Sequence, residues 1–256
     1  MTAFHVVIPA RYASSRLPGK PLCLIAGRPM LAHVHDRAME SGAERVIIAT
    51  DDVRIMDMAH EIGAEAVLTR ADHASGTDRI AEVADLAGWS DETCVVNVQG
   101  DEPLLPAPLI NQVATNLTTI SESVIATLAE PMDDWNRVLD PNVVKVVVDD
   151  LGFALYFSRA PIPWDRSSGM RPDQPFPHHC GFLRHIGLYA YRVGFLREFV
   201  RSTPVRLEQT EYLEQLRALQ KGYRIHVDKV CCPMPGGGVD TEDDLIRVRR
   251  YFGEMR

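Results

Sequence analysis

The sequence predicts an α/β fold: a mostly parallel, mixed central sheet flanked by helices. Three observations lead there. Strand-like and helix-like segments alternate from the first residues onward. The strand-like runs are apolar on both faces, as a sheet covered by helices on each side requires. With 256 residues, 46% apolar and 24% charged, the chain is long enough for one large core without metal or disulfide staples.

Taken in order, the β-branched run at 4–8 is the first strand. The run at 46–49 is the second after a helical stretch, and 66–69 and 94–98 continue the series. Apolar residues at helical spacing predict helices over 53–62 and 77–86. Strands follow at 124–128 and 143–148, and Asp149-Asp150-Leu151-Gly152 then turns the chain into a strand at 153–157, a hairpin. Beyond Arg159 the texture changes. Pro161, Pro163, Pro172, Pro175 and Pro177 argue against helix or central strand and predict a long loop, of the kind that often serves as a lid. A helix over 206–219, a strand over 224–230 and a helix over 241–250 complete the chain. In the 206–219 helix, Tyr212, Leu213, Leu216 and Leu219 share one face, which leaves Glu211 and Glu214 to solvent.

Composition excludes several classes of function. Acidic residues outnumber basic ones, 35 to 27, for a formal charge of −8, and no run of five or six Lys/Arg occurs. A nucleic-acid or anionic-membrane surface is therefore not expected. Apolar runs fall far short of the roughly 18 residues of a membrane span. The N-terminal Met-Thr-Ala-Phe-His lacks the basic start of a signal peptide. The five cysteines (Cys23, Cys94, Cys180, Cys231, Cys232) are odd in number with no C-x-x-C, which points to a reducing cytoplasm without disulfides. His178-His179-Cys180 and Cys231-Cys232 match no usual zinc-ligand spacing and are expected to be ordinary polar loop residues.

Two segments can carry chemistry. The first strand runs into Pro9-Ala10-Arg11-Tyr12-Ala13-Ser14-Ser15-Arg16-Leu17-Pro18-Gly19-Lys20-Pro21, which puts three cations in a loop rich in Ser, Gly and Pro. A loop at the carboxyl end of the first strand is where open α/β sheets bind ligands, and such a loop can wrap an anion. It is neither a Walker loop nor G-x-G-x-x-G. The plainer reading is a solvated basic loop, and the two stand about level on composition. A net charge of −8 does not forbid a triphosphate here, because screening over about 8 Å lets three local cations outweigh scattered acids. The second segment is Gln99-Gly100-Asp101-Glu102-Pro103 at the end of the fourth strand, joined from far downstream by Gly236-Gly237-Gly238-Val239-Asp240-Thr241. Asp101 can hold a hard divalent cation, and the glycines allow Asp240 to swing toward the same ion. Singly, each aspartate reads as structural, with Asp240 or Thr241 as a helix N-cap. As a pair beside a cationic loop, they gain weight as a metal site.

These segments resemble the sugar-acid cytidylyltransferases, most closely the 3-deoxy-manno-octulosonate (Kdo) cytidylyltransferases. The likeness runs along nearly the whole chain: the 9–22 loop, Ser75-Gly76-Thr77, 96–103, 154–160, Ile162-Pro163-Trp164-Asp165-Arg166, Leu183-Arg184-His185, 213–217 and Gly238-Val239-Asp240-Thr241. It implies a Rossmann-like nucleotidyltransferase fold as one domain over 1–256. Residues 1–150 and 220–256 would form the nucleotide- and metal-binding core, and 151–219 a sugar-binding lid and dimerisation subregion. It implies CTP and Kdo as substrates, CMP-Kdo and pyrophosphate as products, Mg²⁺ as cofactor, a homodimer, and a place in lipopolysaccharide synthesis. By position, Ala10, Arg11, Arg16 and Lys20 would hold the triphosphate, with Arg16 shared with the sugar. Ser75, Gly76, Arg79 and Gln99 would lie by the nucleoside, and Asp101 and Asp240 would bind Mg²⁺. Arg16, Gln99, Arg159, Arg166, His185, Tyr189, Glu214 and Gln215 would line the sugar pocket, so that Glu214 becomes a hydroxyl acceptor rather than a solvated acid. A third glycine before Asp240 and the stretch 169–181 depart from the family pattern. The nearest alternative is a same-fold enzyme for 8-amino-Kdo or a sialic-acid-like sugar. A dinucleotide-binding oxidoreductase lacks its Gly-rich turn, although Asp51-Asp52 resembles its ribose-binding acid.

Overall fold

The structure, a computed structural model, describes residues 3–13 and 17–254. Its first part contains β1 (His5–Ala10), a small hairpin of β2 (Leu24–Ile25) and β3 (Arg28–Pro29), α1 (Met30–Met39), β4 (Arg45–Thr50), α2 (Val53–Glu61), β5 (Glu65–Leu68), α3 (Gly76–Leu86), β6 (Cys94–Asn97) and α4 (Ala107–Thr119). Next come β7 (Ile125–Pro131), α5 (Trp135–Leu139), β8 (Lys145–Val148), β9 (Ala154–Ser158) and β10 (Leu183–Arg192). The chain closes with α6 (Val193–Arg201), α7 (Arg206–Glu211), α8 (Gln215–Gln220), β11 (Ile225–Lys229) and α9 (Glu242–Glu254).

Nine strands form one mixed sheet in the order β11-β7-β10-β6-β1-β4-β5, with β8 pairing β10 and β9. The neighbours β5, β4, β1 and β6 are parallel, and β10 runs antiparallel to β6, β7 and β8. Helices cover both faces because neighbouring β1 residues point opposite ways. Val6 and Ile8 pack with Leu31 of α1, Ile55 of α2 and Leu109 of α4. Val7 packs with Ile80 of α3, Phe195 of α6 and Leu216 of α8. Strand order reverses at β1, since β4 and β5 lie on one side and β6 on the other. In open α/β sheets the ligand crevice lies at such a reversal, outside the carboxyl ends of the strands.

Two expectations need correction. The 206–219 helix is two helices, because Tyr212 takes a left-handed conformation (φ 53°) and turns 84% exposed into solvent. The break is held from both sides. Glu211 accepts hydrogen bonds from Ser158 Oγ (2.7 Å) and the Arg159 backbone (2.9 Å), and Glu214 turns inward to Thr77 (2.7 Å). Neither acid is the solvated residue that helical periodicity assigned. The long strand β10 carries no strand assignment from sequence, and it holds Gly187 and a register shift between Ile186 and Tyr189 where the alternation fails.

The proline-rich stretch is a loop, as expected, with only a short 3-10 turn at His178–Cys180. It is seated rather than loose: Met170 and Phe176 pack against Trp135 and Phe182, and Trp135 Nε1 donates to the Gln174 carbonyl (3.1 Å).

Beside the start of that loop, Lys145 of β8 has no exposed surface. Its ammonium donates to the carbonyls of Asp140 (2.8 Å), Val143 (2.5 Å) and Arg159 (2.7 Å). Burial draws its pKa below the usual lysine value. Lys145→Met keeps the apolar stem but strands three carbonyls, so it should cost about 2–3 kcal/mol. In a domain of this size that is a fall of roughly 5–10 °C in a thermal melt. An unchanged Tm would mean that water replaces the ammonium.

Candidate active site

Close backbone approach assembles the site. Gly100 follows β6 where an added Cβ would lie 3.0 Å from the Pro9 carbonyl, so a side chain there would push the exits of β1 and β6 apart. Gly19 (φ 69°) ends the β1 loop against the Tyr12 ring, and the turn that follows presents Lys20. From the far end of the chain, Val239 N donates to the Asp101 carbonyl (2.9 Å), which fixes the 236–240 loop beside β6. Thr241 and Asp244 then exchange reciprocal hydrogen bonds at the start of α9: Asp244 N to Thr241 Oγ1 (3.2 Å) and Thr241 N to Asp244 Oδ2 (3.0 Å). Thr241 thus takes the capping role, and the Asp240 carboxylate faces Lys20.

The result is a charge cluster. Lys20 Nζ lies 2.5 Å from Asp101 Oδ2 and 3.1 Å from Asp240 Oδ1. Burial opposes the charge on Lys20, but the two carboxylates outweigh it and raise its pKa. The two aspartates, distant in sequence, therefore meet, and the cation between them here is the Lys20 ammonium. Glu102 stands behind them. Its Oε2 is buried without a hydrogen-bond partner, and burial, followed by Asp101 and Asp240, pushes its pKa up to about 7.

Two cavities open from this point. The larger, about 410 Å³, is lined by Ala10, Arg11, Lys20, Ser75, Asp101 and Asp240 among others. Ser75 N-caps α3 in a reciprocal box with Asp78, so the helix N-terminus faces this space. Arg11 reaches across it and donates to the His73 carbonyl (2.6 Å). The smaller cavity, about 270 Å³, is lined by Thr77, Asn97, Tyr189, Tyr191, Glu214 and Gln215 among others. Gly76 and Gln99 line both, so the cavities adjoin. Burial raises the pKa of Glu214, against the lowering effects of Thr77 and Ser75. Tyr189 and Tyr191 stack at 5.7 Å.

His185 does not line the smaller cavity but packs behind Tyr189, which does. Its Nε2 lies 3.0 Å from Thr127 Oγ1, and its ring meets Phe157 edge-on at 5.0 Å and Tyr189 at 5.3 Å. Burial, with Arg184 adding to it, lowers its pKa to about 3, so it is a neutral support for Tyr189. Between about pH 3 and 6.5 the unfolded chain binds a proton that folded His185 refuses, and stability must fall as pH drops through that window. The His185 share at pH 5 is at most about 2 kcal/mol. Burial also lowers the pKa of His5, His33, His35 and His226, so the wild-type loss is a sum. Urea midpoints at pH 5 and pH 8 should therefore converge more closely for His185→Gln than for the wild type. Equal slopes would reassign the effect to the other histidines.

Several expected residues lie elsewhere. Arg79 has no exposed surface, pairs with Asp51 (3.0 Å) and Thr69, and lines neither cavity. Its place is structural, bracing α3 against the end of β4. Arg159 donates to the carbonyls of Glu211 (2.7 Å) and Pro141 (3.0 Å), and Arg166 is exposed on the proline-rich loop; neither lines a cavity. Arg16 lies outside the described residues. Sequence reasoning did not assign roles to Glu102, Thr77, Asn97 and Tyr191. The one available signal was position: Glu102 follows Asp101, and Thr77 opens α3.

Known proteins can be set beside this geometry. A family pattern described as cytidylyltransferase matches residues 5–225. The 3-deoxy-manno-octulosonate cytidylyltransferase of Hahella chejuensis is 57% identical over 254 residues, 99% of each chain. That of Thioalkalivibrio sulfidiphilus is 55% identical over 250 residues, 98% of this chain and 99% of its own. The solved structure of a CMP:2-keto-3-deoxy-manno-octonic acid synthetase complexed with CTP superposes with a TM-score of 0.89 at 37% identity, covering all of both chains. A cytidylyltransferase from Leptospira borgpetersenii shares the fold alone, with a TM-score of 0.62 at 13% identity over 99% of this chain and 87% of its own. From the sheet outward to its full-length relatives, this chain belongs to the cytidylyltransferase family, in its 3-deoxy-manno-octulosonate branch.

Proposed function

We propose that the chain transfers CMP from CTP to Kdo and releases pyrophosphate. The observation that carries the reading is the meeting of Asp101, Asp240 and Lys20 beside two adjoining cavities. The larger cavity, with Lys20, Arg11 and the N-terminus of α3, suits a triphosphate; the smaller, with hydroxyl, amide and carboxylate groups, suits a polyhydroxylated sugar. Gln99 at their junction would contact both.

The donor set fits Mg²⁺. Asp101 and Asp240 offer hard carboxylate oxygens to one cationic position, and the buried, unpartnered Glu102 oxygen stands behind them. Mg²⁺ held by Asp101 and Asp240 would neutralise phosphate charge and acidify the attacking hydroxyl. Lys20 and Arg11 would hold the phosphates and stabilise charge on departing pyrophosphate. Glu214 and Gln215 would orient the sugar hydroxyls, with Glu214 itself fixed by Thr77. The reading extends to a homodimer through the 151–219 subregion, where Leu155 and Trp164 are 63% and 64% exposed. It also extends to a reducing cytoplasm, in keeping with five free cysteines, and to supply of activated Kdo for lipopolysaccharide. No helix among the described residues is long and apolar enough to cross a membrane.

The test is a pyrophosphate-release assay pairing CTP, UTP and ATP with Kdo, 8-amino-Kdo and a sialic acid, with and without Mg²⁺. Release confined to CTP, Kdo and Mg²⁺ is the expected result. Preference for another sugar would move the specificity, and metal-independent release would remove the role of the aspartates.

A further inference from the structure

The proline-rich loop brings together three metal-ligating groups outside the site described above. Asp165, His179 and Cys180 each place one ligand atom so that all three lie within 4.8 Å of one another. His179 Nε2 is 3.5 Å from Cys180 Sγ and 3.7 Å from Asp165 Oδ1. Bond lengths of about 2.0–2.1 Å to nitrogen or oxygen and 2.3 Å to sulfur, at tetrahedral angles, require ligand separations of about 3.5 Å for N···S and 3.4 Å for N···O. The two separations through His179 approximate that geometry, and the third, from Asp165 to Cys180, lies within 4.8 Å.

We infer that Asp165, His179 and Cys180 form a zinc-binding site that clips the two ends of this loop together. Mixed oxygen, nitrogen and thiolate donors select a borderline ion such as Zn²⁺ over Mg²⁺. The Asp165 carboxylate is buried and held in place by Ser167 Oγ (2.7 Å), Ser167 N (3.0 Å) and Ser168 N (3.1 Å). Those bonds hold one anionic anchor in place beside His179 and Cys180. The imidazole of His179 is 68% exposed, so the fourth position opens to solvent and takes a water. His178 contributes nothing, because its ring lies against Phe176 at 5.1 Å. On binding, the Cys180 thiol releases its proton to solvent as the Zn–S bond forms. A spacing rule limited to His and Cys misses the site because its third donor is an aspartate from the other end of the loop.

The test uses the full chain, stripped of metal by chelation and titrated with Zn²⁺ against a chromophoric chelator. Cys180→Ser and His179→Ala are both mild changes at partly or fully exposed positions, and each should weaken Zn²⁺ binding at least about tenfold. Co²⁺ should give a thiolate charge-transfer band in the wild type and in a Cys231→Ser/Cys232→Ser variant, but not in Cys180→Ser. Equal zinc affinity in wild type and both single variants, or a band that survives Cys180→Ser, would overturn the inference.

Discussion

Asp101→Ala should lower turnover roughly a thousandfold while leaving the fold intact, because it removes half of the carboxylate pair at which the proposed chemistry converges. Stability gives the control. Asp101 is partly exposed and its partner Lys20 retains Asp240, so the lost ion pair is worth no more than about 1 kcal/mol. The measurement is pyrophosphate release at saturating CTP and Kdo, with thermal melts run in parallel. Asp101→Asn should fall nearly as far, since an amide keeps the shape but not the charge. Turnover within a few-fold of wild type for both variants would mean that the Asp101–Asp240 meeting point is a structural ion pair. A collapse of the melt would instead give Asp101 a folding role that its exposure does not support.

Lys20→Ala is expected to reduce kcat/KM for CTP roughly a hundredfold and to leave KM for Kdo within about threefold. Lys20 lines the larger cavity and is absent from the lining of the smaller one, so its loss is felt by the nucleotide. Lys20→Arg should recover only part of the loss. An ammonium is a compact point charge that sits between two carboxylates, whereas a planar guanidinium must choose an orientation. Loss of sugar affinity equal to the loss of CTP affinity would place Lys20 at the wrong end of the reaction.

Much of the fold was legible in the sequence because it is written in local patterns. β1, β4 and β6 are continuous β-branched runs, the 149–152 turn makes the β8–β9 hairpin, and the proline cluster forms neither helix nor strand. What escaped depends on distant partners. β10 has a glycine and a bulge in place of alternation, and its register comes from β7 and β6 on either side. The break at Tyr212 cannot be seen in the periodicity of 206–219, because Ser158, Arg159 and Thr77 impose it from other elements.

The site divides the same way. Chain position brought Asp101 and Asp240 together, because strand ends and glycine loops dictate where backbone goes, but it put Lys20 on the phosphates and did not show its ammonium between the two carboxylates. Side-chain reach was not foretold. The Arg79 guanidinium spends its charge on Asp51, the acid that had suggested a dinucleotide site, and the Arg159 guanidinium spends its hydrogen bonds on carbonyls.

The capping of α9 has a consequence for how the Asp101–Asp240 pair is held together. Val239 is tied to Asp101, and the Asp240 and Thr241 backbones are tied to Asp244 one turn into the helix. The closing helix is therefore a handle on a carboxylate pair whose other member, Asp101, lies far from it in sequence. Fraying of its leading turn would release the Asp240 and Thr241 backbones from Asp244 and loosen the carboxylate that faces Lys20.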